Sequence, residues 1–212
     1  MTPFRSVSGA AAPLLEDDIN TDQIAAAAGH DLKPDYAAML FLERRQGDTN
    51  GDTPAFVLDR PRFRSARLLV TGDNFGCGSS RETAVWSMAA FGIGCIVARS
   101  FADTYRENCL KNGVLPVVLA KEDAAAFEVL VVENDGRDAF TADLDTQTIA
   151  APDGRVFGFD IAADERRMLL EGLDDIGLTE RHETEIAAWE ARTLRDWPWL
   201  QKLRRSASEK ID

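Results

Sequence analysis

Two histidines and three cysteines in 212 residues leave little material for a metal centre. Cys77, Cys95 and Cys109 are odd in number, widely spaced and without a C-x-x-C pair. Neither a disulfide framework nor a zinc or iron–sulfur site follows from them. Positive charge is also short. Against 36 Asp and Glu stand 24 Lys and Arg, a formal net charge of −12, which argues against nucleic acid or an anionic membrane surface as partner. No apolar run approaches the ~20 residues that a membrane span requires. The N-terminus carries no charged-then-apolar targeting pattern. A reduced, cytoplasmic protein is expected. Internal repeats and low-complexity tracts are missing too.

What is present is a core-forming chain, 45% hydrophobic, of a length suited to one domain or a little more. Its centre is Leu68-Leu69-Val70-Thr71-Gly72-Asp73-Asn74-Phe75-Gly76-Cys77-Gly78-Ser79-Ser80-Arg81-Glu82, an apolar run, a glycine-rich loop and a helical pattern. Such a loop presents free N–H groups at the positive end of the helix, where an anion is held most cheaply. Ser80 is placed to cap the helix. The hydroxyl of Ser79 then points out of the loop, and Arg81 adds a planar fork suited to a carboxylate. The loop is not a P-loop, because no lysine follows Gly76 or Gly78. Nor is it a dinucleotide fingerprint, having Arg81 where the third glycine belongs, or a G-x-S-x-G nucleophile elbow. Any anionic ligand must meet a locally basic pocket in this acidic chain, and Arg81 and Arg99 are the arginines singled out for it.

Around that loop the pattern is α/β. Residues 5–15 read as a first strand, followed by an acidic turn in which Asp22 is open to two roles, N-cap of the alanine run or site residue. A helical piece is expected over about 35–45 and a loop tip over Asp48–Asp52. Strand 67–71, helix 80–91 with Val85, Met88 and Ala89 facing the core, strand 95–98, helix 102–111, strand 115–119 and helix 121–132 alternate. Their continuous apolar runs suit parallel strands covered on both faces. Residues 140–159 read as antiparallel hairpins turned at Pro152-Asp153-Gly154. Helices over 163–172 and 180–193 follow, with Trp189 and Leu194 inward, and Pro198 ends helical structure. Residues 1–200 are expected to form one domain and 201–212 a disordered polar tail.

The Gly-Ser-Ser-Arg-Glu stretch at 78–82 resembles the signature of the small swivelling domain of the aconitase superfamily. Ala98-Arg99-Ser100-Phe101-Ala102-Asp103 and Lys111-Asn112-Gly113-Val114-Leu115-Pro116 are similar to its next two signatures. Asp18-Ile19-Asn20-Thr21-Asp22-Gln23-Ile24 is similar to its N-terminal Thr-Asp motif. Gly172-Leu173-Asp174-Asp175-Ile176-Gly177-Leu178-Thr179 resembles the closing motif of the small subunits of 3-isopropylmalate dehydratases. The resemblance implies a three-layer β/β/α swivelling domain. It implies Ser79 as the base that removes a proton α to a carboxylate, with Ser80, Arg81, Asp22 and Gly78 binding substrate. It also implies a separate large subunit that bears a [4Fe–4S] cluster, none being bound by this chain. The reaction implied is dehydration and rehydration of a hydroxy-diacid, 3-isopropylmalate to 2-isopropylmalate in leucine synthesis. An unassisted serine is far too weak a base, so its alkoxide needs loop N–H groups, the helix N-terminus and Arg81 together.

Taken from the residues alone, a serine in a glycine turn most often bonds only the backbone. Cys77 reads as a small side chain beneath a tight loop, His30 and His182 as surface or capping groups, and Glu82 as a helix-start charge. The chain departs from the small-subunit pattern at Thr83, where a histidine is usual. It departs again after Ile24, where alanines replace Ile-Ile-Pro and a lysine, and over Gly29–Arg45, which lacks the usual basic, glycine-bearing loop. A related hydratase acting on citramalate or dimethylmalate, or a non-catalytic carboxylate-binding module, therefore stands beside the isopropylmalate reading.

Overall fold

The computed structural model describes residues 1–25, 34–46, 55–173 and 175–199. The loop tip expected at Asp48–Asp52 and the tail expected at 201–212 lie outside them, as do His30 and part of the Gly29–Arg45 segment. The chain forms two units, Met1–Gly172 and Leu173–Asp212.

The first unit starts with β1 (Ser6–Gly9) and β2 (Ala11–Leu14), where a single strand is expected from the small apolar residues. The two belong to different sheets, and the chain changes sheet at Ala10. Ala10 O accepts from Arg67 N and Leu68 N at 3.0 and 3.2 Å. A Cβ on Gly9 would meet Arg67 Cγ at 2.5 Å, so glycine is what lets the crossing pass this close. After β2 come the short helices α1 (Thr21–Ile24), α2 (Tyr36–Met39) and α3 (Leu42–Gln46), then a 3₁₀ turn at Val57–Asp59. Next are β3 (Leu68–Thr71), α4 (Glu82–Phe91), β4 (Cys95–Ala98), α5 (Asp103–Lys111), β5 (Leu115–Val118) and α6 (Lys121–Asn134). β6 (Phe140–Asp143), β7 (Thr148–Ala150), β8 (Val156–Gly158) and α7 (Ala163–Glu171) close the unit.

β2, β3, β4 and β5 pair in parallel and in chain order, while β1, β6, β7 and β8 make an antiparallel sheet. Alternation along the parallel strands explains their unbroken apolarity. Leu69, Ile96 and Ala98 pack with Val85 and Met88 of α4 and Cys109 of α5. Leu68, Val70, Cys95 and Val97 pack with Phe140, Ala142, Ile149 and Phe157 of the antiparallel sheet. Both faces are covered, as parallel sheets require, and the layers run sheet, sheet, helix. Within the parallel sheet, proline falls in the two edge strands, at Pro13 and Pro116, where a missing N–H costs the ladder least.

Details depart from the periodicity. On α4 the buried positions are Ala84, Val85, Ser87 and Met88, whereas Ala89 is exposed. α4 ends at Gly92 with φ +108 and α5 at Asn112-Gly113 with Gly113 at φ +74, the left-handed stops expected of those residues.

The second unit, taken by itself, carries α8 (Asp175–Glu180) and α9 (Glu183–Asp196), which stops before Pro198. Trp189, placed inside by the sequence pattern, is 54% exposed; Leu194 is half-buried. Helical spacing identifies an apolar stripe but not what lies over it, and on α9 only Thr193 is buried. No helix among the described residues is long and apolar enough to cross a membrane.

Candidate active site

Three segments converge beyond the ends of β2, β3 and β4. The loop after β3 runs against residues 16–22. Gly72 N donates to Glu16 O at 3.1 Å, Asp73 N to Asp17 Oδ1 at 2.8 Å, and Gly76 N to Ile19 O at 2.8 Å. On its other side Phe75 N donates to Ser100 O at 3.0 Å and Asn74 N to Ser100 Oγ at 2.8 Å. Asn74 and Asp18 both adopt left-handed backbone, at φ +53 and +56, and are joined by Asn74 Nδ2 donating to Asp18 Oδ1 at 2.8 Å. Gly76, at φ +78, lies flat against the buried Tyr105 ring; a Cβ there would come within 2.1 Å of Tyr105 Cγ.

The rest of the loop is pinned from α1. Thr21 N donates to Cys77 O at 2.9 Å, and the Thr21 hydroxyl donates to Ser79 O at 2.8 Å. Thr21 is buried, while Gly78, Ser79 and Ser80 are exposed. Arg81 forms an ion pair with Asp22. Asp22 is free to do so because Asn20 takes the cap of α1. Gln23 N donates to Asn20 Oδ1 at 2.8 Å, and Asn20 N to Gln23 Oε1 at 2.9 Å, a reciprocal capping box. Of the two roles open to Asp22, capping is thus excluded. Ser80 does not cap α4 either. Arg81, in extended backbone, holds the N-cap position and no side chain closes the helix end. Of the first-turn N–H groups of α4, that of Ala84 donates to Arg81 O at 3.3 Å; those before it are met by no side chain, and with Arg81 beside them they make an electropositive corner next to two exposed hydroxyls.

Ser79, Ser80, Arg81, Gly78 and Thr21 line one cleft of about 220 Å³ together with the start of α5. Arg99 does not join them. Its guanidinium makes two 2.7 Å bonds to the Glu128 carboxylate, and that carboxylate, with Asp17 and Asp73 nearby, drives its pKa above the ordinary arginine value. Arg99 clamps β4 to α6 and borders a separate cleft of about 580 Å³ with Asp73 and Lys121. The positive charge of the serine cleft is therefore Arg81's.

The cysteines do not fit an iron–sulfur cluster. Cys95 on β4 and Cys109 on α5 are fully buried, and burial pushes both thiols well above the ordinary range, which opposes the thiolate a cluster needs. Cys77 donates to Asp18 O at 3.4 Å. Among the described residues no group of three or more His, Cys, Asp or Glu could hold a metal ion. His182 is an exposed residue before α9, 2.9 Å from Glu185. Glu82 is exposed in the first turn of α4. Thr21 and Asn108, both part of the cleft, are not marked out by residue type. Thr21 lies inside the Thr-Asp motif, whereas Asn108 shows only as a polar residue among the buried positions of α5.

A parallel sheet backed by an antiparallel one, with a Gly-Ser-Ser-Arg loop at the start of a helix, defines a class: the Aconitase C-terminal domain family matches residues 1–122. The family of C-terminal domains from the 3-isopropylmalate dehydratase small subunit matches residues 175–202. The chain is 44% identical over 204 residues to the 3-isopropylmalate dehydratase small subunit of Xanthobacter autotrophicus, covering 94% of this chain and 100% of that one. It is 41% identical over 204 residues to the small subunit of Jannaschia sp., with the same coverage. The crystal structure of 3-isopropylmalate dehydratase from Methanocaldococcus jannaschii superposes with a TM-score of 0.60 at 22% identity, covering 86% of this chain and 99% of that one. The chain belongs to the family of 3-isopropylmalate dehydratase small subunits.

Proposed function

We propose that this chain is the small subunit of a hydro-lyase that interconverts 3-isopropylmalate and 2-isopropylmalate in leucine biosynthesis, in the cytoplasm, together with a large subunit that bears the [4Fe–4S] cluster these cysteines do not fit. The observation that carries the reading is the exposed Ser79 hydroxyl on a loop immobilised by Thr21, at an uncapped helix N-terminus beside Arg81.

In this reading Ser79 Oγ takes the proton from the carbon next to a substrate carboxylate. The negative charge on the serine oxygen is met by the first-turn N–H groups of α4 and by Arg81, which are in place before the reaction and need no reorganisation. Arg81, Ser80 and the Gly78 backbone hold the carboxylate, and Asp22 keeps the Arg81 fork oriented. The hydroxyl on the neighbouring carbon departs, a step that the cluster of the large subunit would assist as a Lewis acid, and an unsaturated diacid is left. Ser79 then gives a proton to the carbon that lost the hydroxyl as water adds to the carbon that lost the proton, so the hydroxyl moves by one position. The test is co-expression with a cluster-bearing large subunit, followed by co-purification and turnover on a panel of substituted malates. Preferred turnover of isopropylmalate supports the reading. Preference for citramalate or dimethylmalate would replace the substrate, and no association with any large subunit would remove the reading.

A further inference from the structure

Between β4 and α5 the residues Arg99 to Ala102 run beside the root of the serine loop. Arg99 N donates to Gly72 O at 3.1 Å, Phe75 N to Ser100 O at 3.0 Å and Ala102 N to Phe75 O at 3.0 Å. The Ser100 hydroxyl accepts from Asn74 N at 2.8 Å and donates to Asp73 Oδ1 at 3.0 Å. Each residue from Gly72 to Phe75 is thus bonded to this segment, and the loop follows where the segment goes.

The segment is in turn held by Arg99, whose guanidinium makes two 2.7 Å bonds with the Glu128 carboxylate of α6. Glu128 is 8% exposed, and among the described residues it is the one charged residue that is buried. Its helix neighbours Phe127, Leu130 and Val131 belong to the apolar core, so an apolar side chain would suit the position by its company. A buried carboxylate paired with arginine brings little net stability, because its desolvation offsets the attraction and an apolar pair of similar size does as well. What an apolar pair does not supply is direction. A planar fork and a planar carboxylate meet in one geometry, and that geometry sets where Arg99 stands relative to α6.

We propose that Glu128 is a positioning residue for the proton transfer: through Arg99 it fixes the 99–102 segment, and through that segment the root of the loop that carries Ser79. Thr21 holds the same loop from α1, and Glu128 holds it from α6. The inference rests on the reading of Ser79 as the base. It gives a place in the chemistry to α6, none of whose residues lines the serine cleft.

The test uses the two-subunit enzyme. Glu128→Gln keeps the shape and loses the charge, while the double variant Arg99→Met/Glu128→Met replaces the pair by apolar chains. Glu165→Gln is the control, since Arg106 and Glu165 form a pair of the same kind between α5 and α7. The double variant is expected to melt within about 3 °C of wild type. Its turnover should fall about tenfold or more with KM little changed, because a displacement of about 1 Å at a reacting group is enough for that. Glu128→Gln should show a smaller fall with the same split, and it carries the comparison alone if the double variant does not fold. Glu165→Gln should keep its turnover. In NMR spectra of the isotope-labelled full chain, the amides of Asn74, Phe75, Gly76 and Ser79 should move in both Glu128 variants and stay in place in the control.

Full turnover in the Glu128 variants beside an inactive Ser79→Ala would overturn the positioning role, and so would loop amides that do not move. An equal loss of turnover in Glu165→Gln would overturn it too, reducing Glu128 to general stability. Full turnover in every variant, Ser79→Ala included, would overturn the reading of Ser79, and the loop amides would then decide alone whether α6 holds the loop.

Discussion

The Thr21 hydroxyl donates to the carbonyl oxygen of Ser79 at 2.8 Å across 58 residues of sequence. It fixes the backbone of the residue assigned the proton transfer without touching its side chain. Thr21→Val keeps the shape and removes the donor. Loss of one largely buried hydrogen bond should cost about 1 kcal/mol of stability. Turnover of the two-subunit enzyme should fall by more than that stability change accounts for, with KM nearly constant, and Thr21→Ser should restore it. Equal activity in Thr21→Val and wild type would show that the loop holds its geometry without this bond.

Ser79→Ala removes a single oxygen from an exposed position, so stability should change by under about 1 kcal/mol. Turnover should fall by about a hundredfold or more, the usual worth of a positioned proton transfer, with little effect on KM. Arg81→Lys retains the charge and loses the fork, so its signature is a raised KM for the diacid. Asp22→Asn should produce a milder version of the same effect by releasing Arg81. Steady-state kinetics beside melting temperatures separate these outcomes. Near-normal turnover in a folded Ser79→Ala would take the serine out of the mechanism.

The thiols should divide by reactivity. Burial raises the pKa of Cys95 and Cys109, so at neutral pH both stay protonated and out of reach of a water-soluble alkylating reagent. Cys77 is half-buried in an exposed loop. Mass spectrometry after native labelling should find the modification on Cys77 alone, and on all three cysteines after denaturation. Raising pH within the folded range should not release the other two, because their shift is upward. Native labelling of Cys95 or Cys109 would mean that the sheet–helix core opens locally.

Gly76→Ala tests the loop's foundation. The position combines φ +78 with a Tyr105 ring that leaves no room for a methyl group. The expected loss is about 3 kcal/mol or more, from strain and overpacking together. Gly154, at φ +89 but with nothing within 4 Å, provides the control. Gly154→Ala should cost about 1 kcal/mol for the backbone alone. Comparable denaturation midpoints for the two variants would mean that the Tyr105 ring yields.

Much of the site was legible because it is local. A glycine-rich turn between a buried strand and a helix, with serines and an arginine at the junction, lies within consecutive residues, and the chemistry of an anion-binding helix start needs nothing more distant. The partners of those residues were not legible in the same way. Arg99 looked equivalent to Arg81 by type and spacing, but its carboxylate partner Glu128 lies 29 residues on, on α6, beyond a helix and a strand. Asp22 and Asn20 are both good caps, and which of them closes α1 is decided by where the helix starts, a backbone choice of two residues.

By itself the sequence determined that this is an α/β chain, that its central strands are covered on both faces, and that an electropositive serine loop opens a helix. Each of these follows from local periodicity and the allowed backbone of glycine and proline. The tertiary structure decided the switch of sheets at Ala10, the cap at Arg81, the pairing of Arg81 with Asp22 and the meeting of two helix N-termini on one cleft. These depend on which distant groups become neighbours. That is settled by how the two sheets stack and how close Gly9 and Gly76 allow other segments to come, and no window of consecutive residues contains it.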